Sequence, residues 1–238
     1  QSHDGLATFD FAAVDELASL GYEAAVAQVC DLSRADPAAD AVPVPVFDTE
    51  GYLAGVKGDA DQRRAAFRQA KAEREALILW WVHRMVVAER PLAEKLTFLW
   101  HDHFATSLTK VKLAELLYRQ QQTLREGSTG RFDDLLGAVA RDPAMLIWLD
   151  GRESTDEAPN ENFGREMLEL FALGHGTHHT GQPYTEDDIQ ELARSLTGWV
   201  IDRSTGRGVL RPARHDTGVK AVLGQRGPFG LDEVVAIA

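Results

Sequence analysis

The chain has 238 residues, 44% of them hydrophobic and 26% charged, with a formal net charge of −12. That length and apolar content suffice for one large core or two small ones and exclude wholesale disorder. The acidic excess repels phosphate backbones and the 25 Lys and Arg residues are scattered, which argues against nucleic acid as a partner.

Helical periodicity dominates the chain in order. Apolar residues recur at three- and four-residue spacing from Phe11 to Leu32, interrupted at Gly21, which predicts two short helices. Cys30, the single cysteine, lies in that stretch, where a buried inert thiol is expected; no internal disulfide is possible. Pro43, Pro45, Gly51 and Gly55 mark residues 36–60 as an irregular loop. A long helix is predicted from Asp61 to Glu89, burying Phe67, Leu77, Trp80, Trp81 and Met85. Its apolar run, Ala76 to Ala88, is broken by His83 and Arg84 and is too short to span a bilayer.

Pro91 suits the first turn of a further helix carrying Leu92, Leu96, Leu99 and Trp100 inward. Ser107 is a candidate cap for a helix through Arg125 that ends at Gly127 to Gly130, and Asp142–Pro143 starts a short one through Leu149. Gly151 to Pro159 reads as an exposed loop. A helix from Asn160 stops at Gly174, and Thr185 with Asp188 forms a capping-box start for a helix to Leu196 or Thr197. Trp199–Ile201 and Val209–Arg211 pattern as a hairpin, and the chain reaches Ala238 inside another helix. The expected class is mostly α, an irregular multi-helix bundle with one small β-hairpin near the C-terminus. Residues 1–35 form a helical segment, 36–60 a loop, and 61–238 the main domain.

Five ordered runs carry a resemblance: PLAEKLTFLWHDHFATS (91–107), DPAMLIWLDG (142–151), PNENFGREMLELFALG (159–174), YTEDDIQELARSLTGW (184–199) and HDTGVKAVLG (215–224). Together they resemble the bacterial family known as domain of unknown function 1800. That resemblance implies an exported protein, at the periplasm or cell surface, with a sulfatase-related protein as a possible partner. It supplies no established activity or catalytic residue. The chain resembles the N-terminal portion of that family, shortened at both ends. Gly164 stands where the family usually has alanine.

Candidate chemistry centres on Asn162, Arg165, Glu166 and Glu169, whose spacing places them within about a 100° arc of one helix. Glu166 and Glu169 could serve as acid and base with Arg165 orienting them, joined by His215, which precedes Asp216. His101 and His103, flanking Asp102, are candidate ligands for a divalent metal completed by a stripe carboxylate. His175, His178 and His179 read as surface loop, and Lys220 as an anion contact or plain surface. Asp187, Glu191 and Arg194 share one face, from which Arg194 is expected to reach the Glu166–Glu169 stripe. Besides a weaker option, a purely metal-stabilised structural domain, two functions are compatible with this pattern. One is a carboxylate- or metal-dependent hydrolase or lyase acting on a cell-surface polymer. The other is a non-catalytic scaffold or assembly module in which i,i+4 pairs and a polar network lock the helices.

Overall fold

The computed structural model describes residues 36–174, 181 and 183–238. The predicted helices over 11–32, Cys30, and the histidines at 175, 178 and 179 lie outside the described residues.

Residues 36–60 are a correction, because they hold two short helices. Asp36 caps α1 (Pro37–Asp40) by accepting the Ala39 N–H, and Asp48 caps α2 (Thr49–Gly55) by accepting the Gly51 N–H at 2.8 Å. Pro37 sits in the first turn, where its missing N–H costs nothing. Gly51 makes room for its capping carboxylate, which a Cβ would meet at 2.1 Å. Residues that read as breakers in sequence here serve as helix starts.

The long helix is α3 (Ala60–Val87), opened by a reciprocal capping box between Asp59 and Gln62. It buries Leu77 and Trp80, but Phe67, expected inside, is 55% exposed against the edge of Tyr52. In α4 (Pro91–His103) the buried residues are Glu94 and Thr97, and Leu99 points outward. An ion cluster accounts for this reversal. Glu94 accepts from Arg84 of α3 at 2.6 Å and from Arg125 of α5 (Ala114–Gly127) at 2.9 Å, so the α4 face that carries it turns inward. Ser107 does not cap α5; its carbonyl accepts the Val111 N–H in a turn before it.

The helix α6 (Phe132–Ala140), which the sequence patterning did not mark, buries Leu135, Leu136 and Val139. Asp142 caps α7 (Pro143–Trp148) as expected. The chain then makes a 3-10 turn at Gly151–Glu153, enters α8 (Glu161–Glu166), and continues directly into a π-helix, Met167–Ala172. After α9 (Glu186–Ser195) come two antiparallel hairpins: β1 (Trp199–Ile201) with β2 (Gly208–Leu210), pairing Val200 with Val209, and β3 (Lys220–Val222) with β4 (Gln225–Gly227). The first was expected one residue later in its second strand, and the second was not expected. Helix α10 (Leu231–Ile237) ends the described chain. The fold is mostly helical, as composition and periodicity indicated.

The larger core cluster joins α5 to α10 around Phe104, Met145, Phe163, Met167, Leu168 and Ile189. A smaller one packs α3 and α5 together through Leu77, Trp80, Leu116 and Leu117. Full burial of each such side chain contributes about 1.5–3 kcal/mol.

Candidate functional site

The stripe is positioned from Asn160. Its side-chain oxygen accepts the Asn162 N–H at 3.1 Å, and its amide nitrogen donates to the Leu149 carbonyl at 2.7 Å, tying the start of α8 to the end of α7. Gly164 then lets α8 lie on α9 at backbone contact, since a Cβ there would come within 2.8 Å of the Ile189 carbonyl. That close approach brings Arg165 to Glu186, the first residue of α9.

Arg165 donates both terminal nitrogens to Glu186, one of them at 3.2 Å, and one also to Glu169 at 3.4 Å. The Glu186 carboxylate raises the Arg165 pKa, and the guanidinium lowers that of Glu186 in return. Glu169 is mostly covered, at 17% side-chain exposure. Glu166 differs: it is half-buried and makes no hydrogen bond or ion pair with the described residues.

The stripe was laid out at α-helical pitch, and the structure corrects that pitch. From Met167 the chain is a π-helix, with the Leu173 N–H bonded to the Leu168 carbonyl. Glu169 is therefore displaced around the axis relative to Glu166, and the four polar residues do not make one straight α-helical row. Gly174, with φ of 75°, ends the segment in the left-handed region.

His215 lies elsewhere. Its Nδ1 donates to the Thr197 carbonyl at 3.0 Å. Thr197 is fully buried; its hydroxyl donates to the Arg194 carbonyl at 2.7 Å and accepts the Asp216 N–H at 2.8 Å. Gly198, at φ of 87°, is required here, since a Cβ would stand 2.9 Å from that of His215. Thr197 and Gly198 follow the last turn of α9, whereas Arg165 contacts its first residue. Ten residues of helix, about 15 Å of rise, separate the two groups.

Arg194 does not reach the stripe. Its Nε donates to Asp216 at 2.7 Å and one terminal nitrogen to Glu191 at 2.8 Å. That pairing holds the Asp216 carboxyl below the usual range and raises Arg194. Glu191 also accepts the Ala221 N–H at 2.9 Å, and Asp188 accepts the Leu223 N–H at 2.6 Å. One face of α9 thus stitches down the 215–223 segment through Asp188, Glu191 and Arg194. The sequence reading placed Asp187 on this face by its offsets of four and seven from Glu191 and Arg194, whereas Asp188 makes the contact. Lys220 is not surface: its side chain is fully buried and its ammonium donates to the carbonyls of Asp216 and Phe229. Burial pulls its pKa down while Asp216 pulls it back up.

The two candidate metal ligands diverge. His103 Nε2 donates to the Phe171 carbonyl at 3.0 Å, pinning the end of the π-helix to α4 inside a ring of Trp100, Phe104, Phe132 and Phe171. His101 instead meets Trp81 edge-on at 5.0 Å, and burial lowers its pKa. Among the described residues, no three His, Cys, Asp or Glu side chains group to hold an ion. A depression of about 160 Å³ between α6 and α10 is lined by Asp133, Asp134, Arg141 and Asp232, with nothing from the stripe.

Asp142 is the titratable group that sequence patterning did not single out as chemistry. It is buried, accepts the Ala144 and Met145 N–H groups and Gln120, and burial pushes its carboxyl up to about 7 against those bonds. Its Asp-Pro context marks a helix cap and carries no signal of depth.

Residues 7–238 match the family model described as Protein of unknown function (DUF1800). The chain belongs to this family. No curated protein and no solved structure matches it significantly. Among the described residues, no helix of this family member is long and apolar enough to cross a membrane.

Proposed function

We propose that this chain is a helical scaffold or assembly module, in which the polar stripe and the His215–Asp216 corner lock secondary structure together. One observation carries the reading: Arg165 pairs with Glu169 and with Glu186 at the start of α9, whereas His215 is bonded to Thr197 just past its end. A catalytic site needs its acid, base and orienting groups around one reacting atom. An ion-paired network perturbs charges in the same way without performing chemistry. The exported location and the sulfatase-related partner implied by the family resemblance are proposed with it, since an assembly module needs a partner.

A second reading is favoured by Glu166. It is half-buried, has no partner among the described residues, and abuts a π-helix, a feature frequent at functional sites. In that reading Glu166 is the general acid or base of a hydrolase or lyase working on a cell-surface polymer, with Glu169 and Arg165 beside it. The test places Glu166→Gln and Asp216→Asn in the full-length gene and compares each with the gene deletion, alongside thermal unfolding of the purified proteins. The scaffold reading expects Glu166→Gln to match wild type and Asp216→Asn to lose stability and phenotype together. Loss of phenotype in Glu166→Gln with unchanged unfolding would establish the catalytic reading instead.

A further inference from the structure

Between α1 and α2 the chain reads Val42, Pro43, Val44, Pro45, Val46, Phe47. Proline fixes its own φ near −65° and pushes the residue before it into the extended region, so the alternate prolines set most of this stretch locally. Residues 43–48 belong to no helix, strand or turn, and among the described residues no backbone–backbone hydrogen bond engages residues 43–47. An extended chain without ladder bonds is a polyproline-II segment, with three residues per turn. Burial follows that period. Val42 is buried and Pro45 half-buried against the protein, whereas Pro43 and Val46, three residues apart, are exposed with Val44 beside them. Val46 is 90% exposed, the highest value of any large apolar side chain among the described residues, and Val44 is 47% exposed. A single exposed valine is ordinary, but these three side chains form a contiguous apolar ridge on a stiffened backbone.

We infer that residues 42–47 are a docking ridge for a partner protein that takes polyproline-II segments into a groove lined by aromatic side chains. The ridge is held to α3 at both ends: Trp80 Nε1 donates to the Val42 carbonyl at 3.4 Å, and the Asp48 N–H donates to Glu73 at 3.0 Å. Between them the Phe47 ring packs on Tyr118 of α5 at 5.7 Å. A segment already fixed in its bound shape loses little freedom on docking. The carbonyls of residues 43–46 accept nothing from the described residues, which leaves them open to the indole N–H and phenol O–H donors of an aromatic groove. Pairing with a strand is disfavoured, since Pro43 and Pro45 lack the N–H groups that a ladder requires. The exposed carboxylates of Asp48 and Glu50 follow the ridge and have no cationic partner among the described residues, so the matching rim of the groove is basic. The inference goes beyond the scaffold reading: it concerns another surface, and it holds whether the polar stripe is structural or catalytic.

The test uses the full chain in its native host, with a benzophenone amino acid replacing Val46 or, as a control, the exposed Arg226 of the second hairpin. After irradiation, cross-linked peptides are mapped by mass spectrometry. Position 46 should give an adduct with a different protein, about 10-fold above position 226, joined at a peptide that carries Trp or Tyr. Pro43→Gly, at an exposed site, frees the backbone and should lower that adduct about fivefold, while thermal unfolding of the purified protein stays near wild type. An adduct with a second copy of this chain, or a linked peptide without aromatic residues, would overturn the inference. So would a yield at position 46 no higher than at 226, or an adduct indifferent to Pro43→Gly.

Discussion

Two Arg–Glu triads in this molecule have mirrored compositions and opposite settings. Around Glu94, Arg84 and Arg125 close a triad in which the three side chains are 4%, 11% and 12% exposed, joining α3, α4 and α5. Around Arg165, itself 35% exposed, the bidentate partner Glu186 stands at the protein surface, 57% exposed, and only Glu169 is largely covered. The sequence pattern drew attention to the second group, since its i,i+4 spacing is visible, and passed over the first, whose members lie on three helices. Burial decides the energetic rank. Water screens the exposed pairs and leaves them little net worth, whereas removing one member of the triad strands charge in the core. Burial raises the Glu94 carboxyl, but Arg125 and Arg84 overcome it and hold the group ionised below its usual range.

The comparison can be broken most directly at Glu94. Glu94→Ala leaves two guanidinium groups facing each other in a covered site and should cost about 3–5 kcal/mol, read as a shift in the denaturant midpoint; a loss as small as that of a surface substitution would remove the distinction. Asp142 sharpens it as a buried carboxylate with no cation. Its folded-state pKa is raised to about 7, so its contribution is fully present below the unfolded carboxylate pKa and is lost as pH rises through about 7. Wild type should lose on the order of 2 kcal/mol from this group between about pH 5 and pH 8. Asp142→Asn, which keeps the cap acceptor, should flatten that slope; an unaltered slope would assign it to other groups. The smallest effect belongs to the exposed pair. A double-mutant cycle of Arg165→Leu with Glu186→Gln should show coupling near experimental error that disappears in high salt. A large, salt-resistant coupling would place this pair with the buried triad.

Much of the fold was legible because local chemistry carries it. The Asp142–Pro143 start of α7, the Thr185–Asp188 capping box of α9 and the stop at Gly174 are each contained in a few consecutive residues. The candidate site was legible as a set of residue types but not as a set of neighbours. Arg194 could have met either the stripe or the 215–223 segment by helical spacing alone, and it meets Asp216. Phe67, Leu99 and Lys220 reversed their expected burial for the same reason: their exposure depends on what another element places against them.

By itself, then, the sequence determined the mostly helical class, the family, and most helix starts and stops, since capping, proline geometry and apolar period act over three or four residues. Only the tertiary structure decided which charges are buried, where the α-helix after Asn160 changes to π pitch, and that Arg165 pairs at the start of α9 while His215 bonds Thr197 past its end. Those outcomes depend on contacts such as Gly164 against Ile189 and His103 against Phe171, made between residues far apart in the chain, and no local period encodes them.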